Sequence, residues 1–146
     1  MSPLAPPSTI DEAKAPIIAF GKKNWDEVRA SLHPGILSDE VPTHRKTEGI
    51  EQFLTLLKGW AAAFPDSKAT FHRALASGST VVLEVTWHGT HKGPLQVPGG
   101  PINATGKTVE VPACMIIEVE KGRTKSVRHF FDMATMLQQL GIARAA

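Results

Sequence analysis

From Ala69 onward the pattern changes to a period of two, over four runs: Ala69 to Ser77, Thr80 to His91, Lys107 to Glu120 and Thr124 to Asp132. Alternation of that length commits this part of the chain to strands with one face buried, because successive side chains of a strand leave on opposite sides. Ser77-Gly78-Ser79 and Lys121-Gly122-Arg123 separate neighbouring runs. Glycine supplies the positive φ of a tight hairpin, so the runs form an antiparallel meander. A sheet with one apolar face needs a second layer to cover it.

The cover lies in the first part of the chain, where the period is that of a helix. Ile10, Ala13, Ile17 and Phe20 share a helical face behind Ser8 or Thr9 as cap, with Asp11 and Glu12 in the first turn and Gly21 placed to stop it. Asn24 caps a second helix with Trp25, Val28 and Leu32 on one face, ended by His33, Pro34 and Gly35. A short, irregular edge strand is expected over Ile36 to Pro42. A long helix then runs from about Thr47 to Phe64, with Ile50, Phe53, Leu54, Leu57, Trp60 and Phe64 as its stripe and Pro65 and Asp66 as its stop. Met133 to Leu140 forms a last short helix, with Gly141 just past it. Residues 1–8, with Pro3, Pro6 and Pro7, read as a flexible leader, and 9–146 as one domain. The fold class is therefore α+β: a strongly bent antiparallel sheet, helices across its concave face, and a ligand cavity between the layers.

Several function classes are set aside. The sixteen basic and fourteen acidic residues are interspersed, without the basic stripe of a nucleic-acid binder. A single cysteine, Cys114, forms no internal disulfide, no apolar run is long enough to span a bilayer, and the first residues lack secretory-signal features. The expected setting is cytoplasmic, with no membrane partner. His88 and His91, three apart on a strand, point to opposite faces and lack a third ligand, so no metal is expected. Gly99-Gly100 and Gly106 lie outside the strand-to-helix context of a phosphate cradle, and no cofactor is expected. Their loop, Pro94 to Thr105, reads as a flexible flap or a subunit contact.

Alternation also nominates a site. Val81, Leu83, Val85 and Trp87 face inward on one strand, Val109, Val111, Ala113, Met115 and Ile117 on the next, and Val127, His129 and Phe131 on the last. His129 thus enters an apolar cavity, where burial holds an imidazole of ordinary pKa about 6.5 neutral and ready to accept a proton. Asp132 is either its catalytic partner or a helix cap. Trp60, Trp87, Met115, Phe131, Phe53 and Leu57 are candidate substrate walls, and His91 a candidate at the cavity mouth. Val82, Thr86, His88, Cys114, Ile116 and Phe130 make the outer face too apolar for water, which points to a symmetric homodimer packed back to back.

Four segments carry a family resemblance: Leu32-His33-Pro34; Gly59-Trp60 with Phe64-Pro65; Trp87 followed by Gly89-Thr90-His91-Lys92-Gly93-Pro94; and Phe130-Phe131-Asp132 running into Leu137-Gln138-Gln139-Leu140-Gly141. Over Ile10 to Ile142 the chain resembles the SnoaL-like polyketide and ester cyclases of the nuclear-transport-factor-2-like superfamily. That resemblance implies a cone-shaped α+β barrel and cofactor-free acid/base chemistry on a small apolar or aromatic molecule, of the intramolecular aldol type. It also implies that His129 stands where those cyclases place an acid/base aspartate, Met115 where they place a pocket histidine, and Ser38 where they place an asparagine. Two changed pocket groups argue against the same tetracyclic substrate. An isomerase or epoxide hydrolase of the same fold, or a non-catalytic ligand binder, stays open alongside the cyclase.

Overall fold

Ser8 starts the first helix, α1 (Thr9–Gly21), with a reciprocal cap: its hydroxyl accepts from the Asp11 N–H, and the Asp11 carboxylate accepts from the Ser8 N–H. The computed structural model describes residues 8–142, so the expected leader falls outside the described residues except for Ser8. Helix α1 ends at Gly21 as expected, but the left-handed residue that turns the chain is Lys23, at φ 56°. Asn24 then caps α2 (Trp25–Ala30) by accepting from the Glu27 N–H.

Helix α2 is shorter than its sequence pattern. Leu32, expected on its apolar face, and His33 to Gly35, expected as its stop, already belong to β1 (Leu32–Glu40). The Ser31 carbonyl accepts from the Thr124 N–H, and Leu32 pairs with Thr124. A distant strand thus takes up the backbone groups that a further helical turn would have used. Pro34 has no N–H to give a ladder, and the register shifts between Leu32 and Leu37 around it.

Nor is β1 an edge. It runs parallel to β8 (Arg123–Phe131) on one side and antiparallel to β2 (Arg45–Glu48) on the other. Strand β2 occupies residues expected to open the long helix, and α3 (Ile50–Ala63) begins only after Gly49, at φ 86°. The link between β1 and β2 is a single 3-10 turn, Val41–Thr43, closed by His44 in the left-handed region at φ 59°.

The rest of the sheet follows the alternation. Strands β3 (Lys68–Ser77), β4 (Thr80–Thr90) and β7 (Thr108–Glu120) complete a six-stranded sheet in the order β2-β1-β8-β7-β4-β3. Val81, Leu83 and Val85 of β4 and Val111, Met115 and Ile117 of β7 are buried, as their spacing predicts. Helix α4 (Met133–Gln139) closes the described chain, with Gly141 at φ 75° beyond it.

The loop expected as a flexible flap or a subunit contact contains a small hairpin, β5 (Leu95–Val97) with β6 (Gly100–Ile102). Leu95 is buried in the same core cluster as Ala63 and Leu137. The Lys92 and Gly93 N–H groups both donate to the Ala63 carbonyl, which would otherwise be an orphan of the α3 terminus. At Gly93 a Cβ would lie 2.1 Å from the Ala62 carbonyl oxygen, so this close approach requires glycine. The architecture is α+β, a bent six-stranded sheet carrying helices, with an open space enclosed between them.

Candidate functional site

A cavity of about 130 Å³ separates the helices from the sheet. Phe20 of α1, Phe53, Leu57 and Trp60 of α3, Trp87 of β4, Met115 of β7 and Val127 and Phe131 of β8 supply an almost wholly apolar wall. Of the nine expected site residues, seven line it: Trp60, Trp87, Met115, Phe131, Phe53, Leu57 and His129. The helical stripe of α3 and the inward faces of three strands converge because each must bury its apolar side, and they do so on the same space.

His129 meets Trp87 first. The Trp87 indole N–H donates to His129 Nε2 over 3.1 Å. An indole nitrogen only donates, so Nε2 must be the unprotonated nitrogen and the ring proton sits on Nδ1. The ring packs against Phe131, with centroids 5.1 Å apart, and Nδ1 makes no hydrogen bond to a described residue. Burial pushes the imidazole pKa down to about 4, against the smaller opposing pull of the Glu40 charge. The imidazole is therefore neutral, as its apolar surroundings suggested, but the lone pair expected to act as a free base is already engaged. The nitrogen left without a hydrogen-bond partner among the described residues is Nδ1, and it carries the proton.

Glu40 was not anticipated. It is 3% exposed and borders the cavity. Its Oε1 accepts from Thr43 Oγ1 (2.5 Å) and from Arg45 Nε (3.0 Å) and Nη2 (2.6 Å), and its Oε2 from the Trp60 indole N–H (2.8 Å). The Arg45 guanidinium also lies 5.6 Å from the Trp60 ring centroid. A buried carboxylate needs such partners. Ile36, Ser38 and Glu40 stand two apart on β1, and with Ile36 fully buried the same alternation that located His129 sends Glu40 inward. The signal was present, but an expected edge strand gave no reason to assign it a buried face. Ser38 joins the cavity wall with its hydroxyl hydrogen-bonded to that of Thr47.

Two expected site residues lie elsewhere. Asp132 caps α4, its Oδ1 accepting from the Thr135 N–H and its Oδ2 from the Thr135 hydroxyl. These two bonds hold its carboxyl below the usual carboxylate range, and its side chain does not line the cavity. His91 is fully buried, packed on Phe64 with ring centroids 5.3 Å apart, and its Nδ1 accepts from the Thr105 N–H. It ties the strand end to the following loop and is not at a cavity mouth. Among the described residues, no three His, Cys, Asp or Glu side chains are grouped to hold a metal ion, and no helix is long and apolar enough to cross a membrane.

The fold and the family are both matched among known proteins. The model of the SnoaL-like polyketide cyclase family matches residues 15–140. A protein described as a SnoaL-like polyketide cyclase from Jannaschia sp. CCS1 superposes with a TM-score of 0.76 at 20% identity, over 99% of this chain and 100% of that one. IdmH from Streptomyces antibioticus, described as a polyketide cyclase, gives a TM-score of 0.78 at 23% identity, over 92% and 99%. An LEH-like epoxide hydrolase of M. tuberculosis gives 0.70 at 23% identity, over 90% and 88%. At such identities the structures share the fold. A search of the curated proteins finds no match.

Proposed function

Because the chain belongs to the SnoaL-like polyketide cyclase family, we propose that it is a cofactor-free cyclase-type enzyme that rearranges a small, largely apolar carbonyl compound within the cavity. The observation that carries this reading is the hydrogen bond from Trp87 to His129 inside an apolar enclosure. It leaves a neutral imidazole with one outward donor. Negative charge grows on a carbonyl oxygen as its neighbouring carbon loses a proton, and a fixed donor in a water-poor site stabilises that charge more than the starting ketone. The enolate carbon then attacks a second carbonyl of the same molecule, closing a ring in the aldol manner. Trp60, Trp87, Phe53 and Phe131 favour an aromatic or polyenic body. Met115 and Ser38, replacing two pocket groups of the resembling cyclases, favour a substrate other than theirs.

The proposal includes a homodimer through the convex sheet face. Leu75, Val82 and Ile116 stand in one row across β3, β4 and β7, and Leu75 is 59% exposed. The single free thiol, Cys114, is compatible with the cytoplasmic setting.

The test is incubation of the purified protein with aromatic ketones that carry a second acyl group in reach, looking for ring-closed products. Wild type is expected to convert one of them. His129→Ala should bind it with similar affinity, read by tryptophan fluorescence, and turn over roughly 100- to 1000-fold more slowly, the usual loss for one oxyanion donor. Binding without conversion by wild type would favour the ligand-binder reading.

A further inference from the structure

Glu40 is the only carboxylate among the described buried side chains, and it borders the cavity. Strand register ties it to His129. The two are Cα partners in the parallel pairing of β1 with β8, and side chains at such paired positions leave the sheet on the same face, with Cβ atoms roughly 5 Å apart. Both line the same apolar space.

The hydrogen bonds to the carboxylate are unevenly shared. Oε1 takes all the donors from Thr43 and Arg45, whereas Oε2 takes only the Trp60 indole N–H. An ionised carboxylate has about two acceptor sites on each oxygen, so Oε2 keeps one. Thr43 and Arg45 hold Oε1, and the Trp60 indole N–H holds Oε2. The tryptophans thus make parallel arrangements across the cavity: Trp87 engages the lone pair of His129, and Trp60 aims Glu40.

We propose that Glu40 is the proton-accepting catalytic residue and that His129 and Glu40 together bracket the O=C–C–H unit of an uncharged carbon acid. This rests on the reading given under Proposed function and deepens it. Oε2 takes the proton from the carbon next to the carbonyl, and the C–H electron pair moves to the carbonyl oxygen, which is held by His129 Nδ1–H. The enolate carbon then bonds to a second carbonyl carbon of the same substrate. The alkoxide so formed recovers the proton from Glu40. The product is an isomer of the substrate, and the balance closes without oxidant, reductant or co-reactant. The apolar lining, with its one buried carboxylate already paired to Arg45, leaves an ionic group of a substrate without a counter-charge, so the substrate class is a neutral aromatic ketone.

The experiment uses 2-tetralone, a neutral bicyclic aromatic ketone, with the full chain in deuterium oxide. Exchange of its α-protons is followed by NMR, and its binding by quenching of tryptophan fluorescence. Wild type is expected to accelerate exchange. Glu40→Gln should bind 2-tetralone within a few-fold of wild type and exchange it at least ~100-fold more slowly, the range of a lost general base. Glu40→Asp keeps the charge but draws the oxygen back by one methylene, and its rate should be intermediate with little change in KM. Should Glu40→Gln fail to fold by circular dichroism, Glu40→Asp decides, and a wild-type rate in it overturns the proposal. If Glu40→Gln exchanges at the wild-type rate while His129→Phe does not, Glu40 is not the base, and the inference falls while the proposed function stands. If wild type itself neither binds nor exchanges the probe, both fall.

Discussion

The Trp87 indole N–H points at His129 Nε2 from 3.1 Å, so a residue whose spacing marks it as a wall of the cavity decides which nitrogen of the histidine carries the proton. The neutral Nδ1–H tautomer follows from the fact that indole has no acceptor to offer. Trp87 is therefore a positioning residue, and the chemistry expected of His129 changes from taking a proton to donating a hydrogen bond.

Replacing Trp87 by Phe keeps an aromatic wall and removes the donor. The tautomers of His129 should then mix, and turnover should fall roughly 10-fold, about 1.4 kcal/mol of lost transition-state stabilisation, with folding retained. Long-range proton–nitrogen NMR of the histidine rings checks this: one tautomer in wild type, averaged shifts in the variant. A single unchanged tautomer in Trp87→Phe would show that something other than the indole sets it.

His129 also gives a pH dependence of defined sign. Its pKa is lowered from 6.5 to about 4 on folding, chiefly by burial. Above pH 6.5 neither state carries the proton, and the group adds no slope. As pH falls below 6.5 the unfolded chain binds a proton that the folded chain refuses, so stability drops until about pH 4 and levels off there. At pH 5 the loss is on the order of 2 kcal/mol, at about 1.36 kcal/mol per pH unit. Urea melts at pH 7.5 and 5 in wild type and His129→Phe measure it. The variant should lose that part of the pH dependence, and equal slopes in the two proteins would contradict a neutral His129 with a lowered pKa.

The apolar row Leu75, Val82 and Ile116 on the outer face predicts association. Wild type should sediment as a dimer at micromolar concentration, and Ile116→Glu, which places a charge in the middle of the row, should sediment as a monomer with its cavity intact. A monomer mass for wild type at every concentration would remove the homodimer from the proposal.

Much of the fold was legible in the sequence because burial repeats with the period of the element. The α3 stripe from Ile50 to Trp60 and the inward sets of β4, β7 and β8 could be assigned residue by residue, and six apolar lining residues and His129 came with them. The first strand was not legible in the same way. Leu32 to Gly35 carry a helix-ending pattern, yet the chain there is a strand because Thr124, far along the sequence, supplies its ladder partner. Arg45–Glu48 is polar and short, with no periodicity to mark it as a strand, and only pairing with Leu37 to Glu40 makes it one. The β5–β6 hairpin likewise depends on Leu95 finding the end of α3.

The sequence by itself determined the layers, the inward faces and an apolar cavity holding a histidine, since these follow from where apolar side chains recur along each element. Only the tertiary structure decided which nitrogen of His129 carries the proton and what holds the carboxylate of Glu40. The bond that fixes His129 joins residues 42 positions apart, and the one that aims Glu40 joins residues 20 apart. Hydrogen bonds are directional and short, so their partners are chosen by how strands and helices meet in space, which no local period encodes.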